Sequence, residues 1–525
     1  MSEEQERLLD ASSDDNLLSD IEYAEASTSE NMPKEGEKLG VSSLTLVSES
    51  GVGYGQARQL TQYTAAIAVT MGALAAGTVL SWTSPTKTQI VDNGDLGFTV
   101  TDDEFSWVGG LMCLGAAVIC FPIALVMDVI GRKITMLLLI IPFTIGWCLI
   151  YWAESVLMLY FGRFLTGLAG GAFCVSAPLY TSEIAQKEIR GTLGSYFQLM
   201  VTVGILFDYV AGAFLSVSDL TLCCLIIPFI FVLVFFFQPE TPVYYVKKGK
   251  IEDARKSLTF FRGPHYNVEL ELQDMIAANE DSSSGYTSRT QILKTKGAQK
   301  AVLISFGLML FQQFSGVNAV IFYAGNIFKE AGVGIKPDYA VIIVGVMQVI
   351  ATFIASIVVE KLGRKILLLA SDIVMAICSI LLAVYFNLTE ENKTSVSWLP
   401  ILALSLFIIL FSLGFGPIPW MMVGEVVPKE LKSTLTSTAC TFNWVLAFFV
   451  TKFYQPLSDA TSQSATFYGF ATVSIIGTIF VFLLVPETKG KTLDEIQREL
   501  NGEPRLTHHP AGGAQTNPGY NKNEN

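Results

Sequence analysis

Residues 312–323 read QQFSGVNAVIFY, two adjacent glutamines, a serine, an asparagine and a tyrosine inside an otherwise apolar run. A buried amide without a partner costs about 1–3 kcal/mol by mutational data, so this stretch has to bond to something. Glutamine and asparagine donate and accept together, without the desolvation cost of a full charge, which suits a hydroxyl-rich partner. On a helix turning about 100° per residue, Gln312, Gly316 and Tyr323 fall within roughly 40° of one another. Gln313 and Asn318 join that face only if the backbone unwinds near Ser315–Gly316, a departure that glycine permits. The competing use of such amides is helix-to-helix bonding, worth about 0.6 kcal/mol on average inside membrane bundles.

The charged residues form a second pattern. Asp128 and Arg132 bracket a glycine turn, Glu360 and Arg364 repeat the arrangement, and Glu183 with Arg190 is matched later by Glu425 with Lys432. The eight cysteines all fall in apolar segments and none forms a CxxC, so packing thiols are expected, with no metal site. GVGYG at 51–55 follows no strand and is not a phosphate loop. No catalytic constellation is present, so neither an enzyme nor a bound cofactor is expected. A net charge of −13 leaves no basic footprint for nucleic acid. Near the start, Glu4 precedes Leu8 and Leu9 at the spacing of an acidic dileucine sorting signal, a potential handle for sorting adaptors.

The elements that must hold these residues are helices in lipid. Of 525 residues, 51% are apolar and only 15% charged, against about 25% charged in soluble domains. Twelve apolar stretches are long enough to span a bilayer, and strand-type alternation is absent. The halves repeat each other: MDVIGRK (127–133) returns as VEKLGRK (359–365), SEIAQKEIRG (182–191) as GEVVPKELKS (424–433), and PETP (239–242) as PETK (486–489). The expected fold is therefore an all-α membrane protein of twelve transmembrane helices in two six-helix pseudo-repeats. Its parts are a disordered acidic tail (1–55), a first half (56–237), a linker with short helices (238–297), a second half (298–485) and a C-terminal tail (486–525). Lysine and arginine concentrate in the linker and in the loops on its side, which makes both termini cytoplasmic. The sequons at Asn387 and Asn392 then fall in an outside loop, as candidate glycosylation sites.

The paired acid-x-x-Gly-Arg-Lys loops, GRFLTGLAGG, PETP, QQFSGVN, GFGPIPW and PETKG together resemble the sugar porter family of major facilitators over residues 60–497. The stretch LSWTSPTKTQI…DDEFSWVGGLMCLGA further resembles the insect facilitated trehalose transporter branch of that family. The resemblance implies a sugar site at the midplane between the halves. It would be lined by Gln198, Gln312, Gln313, Asn318, Tyr323, Gln348, Trp420, Asn443 and Trp444, with Trp420 stacking on a sugar face. It also implies that Asp128, Arg132, Glu183, Arg190, Glu360, Arg364, Glu425 and Lys432 make ion pairs between the halves, closing the cytoplasmic side. Lys432 replaces an arginine, Phe197 and Ser412 replace polar residues of the hexose uniporters, and Val243 replaces an arginine. Proton-coupled members carry an aspartate in the first span, where this chain has Val79; Asp208 and Asp372 lie off the expected pocket. Uniport of trehalose or hexoses is the expected function. The alternatives are a proton symporter, a sugar-sensing receptor on the same fold, and an organic-ion carrier. The plasma membrane is the expected location, with endosome or lysosome open through the dileucine.

Overall fold

The computed structural model describes residues 57–284, 289–428 and 431–502, with the side chain of Glu360 outside the description. The sorting motif Glu4, Leu8, Leu9 and the acidic tail lie outside the described residues. Among the described residues, twelve helices are long and apolar enough to cross a membrane. In chain order they are α1 (Leu60–Asp92), α2 (Asp102–Ile130), α3 (Arg132–Tyr151), α4 (Val156–Ile184), α5 (Arg190–Gly212) and α6 (Val217–Phe235). The second six are α7 (Lys296–Ala331), α8 (Pro337–Val359), α9 (Arg364–Phe386), α10 (Leu399–Val426), α11 (Thr434–Ala460) and α12 (Gln463–Leu484).

Small residues set the packing. A Cβ on Gly167 would lie 2.1 Å from the Met112 carbonyl oxygen, and one on Gly115 would lie 2.2 Å from that of Phe164. Helices α2 and α4 therefore cross backbone on backbone, the close approach that small residues allow in lipid. Between the halves, α2 packs against α11 and α5 against α8. The last turns of α1 meet the second part of α7.

The loops Gly131 and Gly363, the linker and the C-terminal helix share one end of the bundle, the linker end; the opposite end is the far end. Among the described residues, four helices carry the linker: Pro242–Lys247, Ile251–Arg262, Val268–Ser284 and Arg289–Leu293. The linker is bonded to the first half, with Arg262 donating to the Ile184 carbonyl at 2.7 Å and Thr61 to the Phe261 carbonyl at 3.0 Å. The helix Leu493–Asn501, started by a Thr492/Glu495 capping box, is bonded to the second half. There Asn501 Oδ1 accepts from the Gly297 amide at 2.6 Å.

Candidate functional site

Two spans are broken at the same depth. Helix α7 stops at Phe314 and restarts at Val317, with Gly316 at φ 91° between the parts. Only glycine takes that angle without strain. Helix α10 stops at Leu413 and restarts at Ile418. Each break frees main-chain groups that need partners, and at the α10 break Gln312 supplies one. Gln312 donates to the freed carbonyls of Phe415 at 2.6 Å and Gly416 at 3.0 Å.

From there the amides form a chain. Asn443 Nδ2 donates to Gln312 Oε1 at 2.7 Å, and its Oδ1 accepts from Gln313 Nε2 at 2.8 Å. Gln313 Oε1 in turn accepts from Asn318 Nδ2 at 2.6 Å. All four side chains are buried. The unwinding at Ser315–Gly316 brings Gln313 and Asn318 together, and the α10 break explains why two glutamines stand side by side: one holds the neighbouring helix and one faces Asn443.

The other expected pocket residues are placed differently. Tyr323 leaves this group: its hydroxyl donates to the Thr451 carbonyl at 3.0 Å toward the far end. A local departure from helical geometry at Tyr323 (φ −121°, ψ 17°) accompanies this placement. Trp444 is buried with no hydrogen-bond partner on its indole nitrogen. Gln348 is buried in α8, while Gln198 in α5 and Trp420 in the second part of α10 are half-buried. None of these three is hydrogen-bonded to the amide chain. Asp208 accepts from Ser81 Oγ at 2.9 Å and from Cys224 Sγ at 3.3 Å. Asp372 packs on Gly477 of α12.

At the linker end the ion pairs differ from the expected arrangement. Arg132 forks onto Glu183, with Nε and Nη2 both at 3.0 Å, and meets Asp128 at 3.1 Å. Arg364 meets Glu425 at 3.1 Å. Arg190 donates to the Ala185 carbonyl at 3.2 Å. The Arg132–Glu183 and Arg364–Glu425 pairs thus run within one half each and not between the halves. The physical reason lies in the PET segments, each of which directly follows the sixth span of its half and brings a threonine to that half's acid: Thr241 donates to Glu183 and Thr488 to Glu425. Burial lowers the Lys432 ammonium pKa, while Glu425 pulls it up and Arg190, from the other half, pushes it down.

Each PET glutamate also caps the helix after the glycine turn. Glu240 accepts from the Lys133 amide at 2.8 Å; Glu487 accepts from Arg364 at 2.9 Å and Lys365 at 3.0 Å. Burial pushes the Glu240 carboxyl up, against the pull of backbone N–H groups. Burial also acts upward on Glu487, but the amides of Lys489, Arg364, Lys365 and Thr488 outweigh it and hold that carboxyl below its ordinary value.

The far end holds residues that sequence reasoning missed. Lys452 of α11 reaches Asp103 Oδ1 at 2.6 Å and Ser106 Oγ at 2.7 Å on α2. Lys87 of α1 meets Asp102 at 3.0 Å and Gln455 of α11 at 3.1 Å. A lysine inside an apolar span is itself a signal of function, and Lys452 carried that signal in the sequence. Arg163, fully buried in α4, donates to the carbonyls of Val79 at 2.9 Å and Val108 at 3.2 Å and lies 5.4 Å from the Trp82 ring. Asn387 and Asn392 are both exposed, at and just beyond the end of α9.

A family model described as "Sugar (and other) transporter" matches residues 58–500. The facilitated trehalose transporter Tret1 of Bombyx mori is 39% identical over 85% of this chain and 88% of its own length. Tret1 of Drosophila yakuba is 40% identical over 85% of this chain, which spans 52% of that longer relative. Among solved structures, the major facilitator proton:xylose symporter XylE bound to 6-bromo-6-deoxy-D-glucose aligns with a TM-score of 0.69 at 20% identity. That alignment covers 84% of this chain and 99% of the other. The inward open conformation of XylE from E. coli gives 0.68 at 20% identity over 83% and 99%. These structures share the fold.

Proposed function

The chain belongs to the sugar transporter family, and we propose that it is a facilitative carrier that moves trehalose or a hexose down its gradient by alternating access. The observation that carries this reading is the buried amide chain Asn318–Gln313–Asn443–Gln312 at the breaks of α7 and α10. Neutral amides there can exchange bonds with one another for bonds to sugar hydroxyls, with no charge to desolvate. Gln198, Gln348, Trp420 and Trp444 complete the site as the α5, α8, α10 and α11 walls close on a sugar, and Tyr323 acts above it as part of the outer gate. The linker end faces the cytoplasm, both termini lie there, and Asn387 and Asn392 are glycosylated outside. The protein works at the plasma membrane.

Uniport is supported by the surroundings of Arg163. Its guanidinium is hydrogen-bonded to main-chain carbonyls, Val79 in the first span and Val108 in the second, while the acid beside it, Asp208 of α5, is buried and held by Ser81 and Cys224. A coupled carrier needs a group that gains and loses a proton in the pathway. The linker-end charges Asp128, Arg132, Glu183, Arg190, Arg364, Glu425 and Lys432 hold each half rigid as it rocks. The deciding assay is reconstitution in sealed vesicles with equal trehalose on both sides and an imposed pH gradient of one unit. Labelled sugar should stay equal on the two sides. Uphill accumulation, for which that gradient supplies about 1.4 kcal/mol per proton, would overturn uniport.

A further inference from the structure

Lys452 is 4% exposed and Lys87 7% exposed, yet both carry ammonium groups inside membrane-spanning helices. Charge at such depth is costly and is kept where it does work. Both are met by one short stretch of sequence. Thr101 caps α2 through a reciprocal bond with Glu104, which fixes Asp102 and Asp103 in the first turn. The positive end of the helix dipole favours carboxylates at that place. Asp103 faces Lys452 and Asp102 faces Lys87, so two neighbouring acids hold two lysines from different helices.

Three of the bonds cross between the halves, while Lys87–Asp102 joins α1 to α2 within the first. Lys452 belongs to the second half and takes Asp103 and Ser106 from the first, with its ammonium 4.8 Å from the Trp107 ring. Lys87 belongs to the first half and takes Gln455 from the second, 5.6 Å from the ring of Tyr323. Directly below, Thr83 donates to the Phe322 carbonyl at 3.3 Å and the Gly325 amide to Ser84 Oγ at 3.2 Å. These contacts close the far end over the amide chain, whereas the ion pairs of Arg132 and Glu425 at the linker end stay within their halves.

We infer that Lys452 with Asp103, and Lys87 with Asp102 and Gln455, form an ionic latch that holds the far end closed and sets how readily the carrier opens there. The inference rests on the alternating-access reading above and assigns its outer gate to named charges. Separating α2 from α11 strips Lys452 of both polar partners and of the Trp107 face together. The latch is asymmetric, because Asp103 is largely in solvent while Lys452 is not. Removing the acid leaves a buried ammonium uncompensated in the closed state, and opening then returns that ammonium to water. Removing the lysine leaves no buried charge behind, so it opens the gate less. Lys329 and Asp92 also bridge the halves, at 2.6 Å, but both are about half exposed, and a solvated pair contributes little.

The test is Ser84→Cys as a reporter under the gate, read by the rate of labelling with a membrane-impermeant maleimide from the far side, above that of the chain without the reporter. Asp103→Asn should raise the rate at least about tenfold, a shift of about 1.4 kcal/mol toward the open state. Lys452→Met should raise it less, and the double variant should match Lys452→Met alone. Lys329→Met should change it less than about twofold, as expected of an exposed pair. If Asp103→Asn fails to reach the membrane, Lys452→Met and Lys87→Met carry the test, each expected to exceed Lys329→Met. Unchanged labelling in the latch variants, or an equal rise with Lys329→Met, overturns the latch. Labelling needs no sugar, so a wild-type chain that moves no trehalose would remove the transport reading and leave the latch standing.

Discussion

Replacing Asn443 with leucine tests the amide chain at its centre. The substitution keeps the approximate shape of the side chain and removes two bonds together: the acceptor for Gln313 at 2.8 Å and the donor to Gln312 at 2.7 Å. Two bonds at the membrane-bundle average of about 0.6 kcal/mol give roughly 1.2 kcal/mol as a lower bound. Leaving two buried amide atoms unpaired, at about 1–3 kcal/mol each, sets an upper bound near 6 kcal/mol. Even the lower bound corresponds to a factor of about eight. Asn443→Leu should therefore lower kcat/KM for trehalose uptake by about an order of magnitude at equal surface amount. Asn318 ends the chain and makes one bond to Gln313, so Asn318→Ala should cost about half as much free energy, or roughly threefold. Uptake by radiolabelled trehalose in cells without their own carrier gives both numbers. A kcat/KM for Asn443→Leu within twofold of wild type would refute the idea that these amides form the binding surface.

Other expectations follow from the linker end. Arg132→Ala leaves Glu183 and Asp128 without their guanidinium and should lower the melting temperature in detergent markedly, since breaking a mostly buried pair costs about 3–5 kcal/mol. Arg132→Lys, which loses the fork, should restore only part of that stability, and full restoration would count against the fork. Gly363→Ala places a Cβ 2.6 Å from Glu487 Oε2 on a residue at φ 92°, ψ 162°, so thermal unfolding should show a loss of at least about 1–3 kcal/mol. Because Glu487 sits below its ordinary 4.5 in the folded chain, its contribution is full above that pH and is lost as pH falls through the depressed folded value. Hydrogen exchange at the Arg364 and Lys365 amides should accelerate over that acid range in wild type but not in Glu487→Gln, and equal behaviour of the two would contradict the cap.

The sequence made much of this legible because lipid imposes a simple rule. Apolar length alone marks a span, and the repeated GRK and PET segments mark the two halves. The break at Gly316 was legible for the same kind of reason, since two polar side chains lay off the helical face until the backbone unwound. Side-chain direction past that break was not. An ideal helix carried from Gln312 puts Tyr323 beside it, yet Gly316 at φ 91° and the non-helical angles at Tyr323 reset the phase, and the hydroxyl goes to Thr451. Partner choice among the charges was equally hidden. Glu183 has arginines at 132 and 190 to choose from, and the choice depends on Thr241, about sixty residues away, arriving beside it. Lys452 was overlooked because a lone charge scarcely alters the hydropathy of a long apolar helix.

Gln312 sits just before the α7 break, and its amide holds the carbonyls exposed by the α10 break. The part of α7 beyond its break leads to the far end, while the part of α10 beyond its break carries Trp420 toward the linker end. One side chain thus pins the pivot of an upper shutter to the pivot of a lower one. A swing of either changes the reach that Gln312 must cover, so the two shutters are geared, like the paired gates of a canal lock that share one linkage.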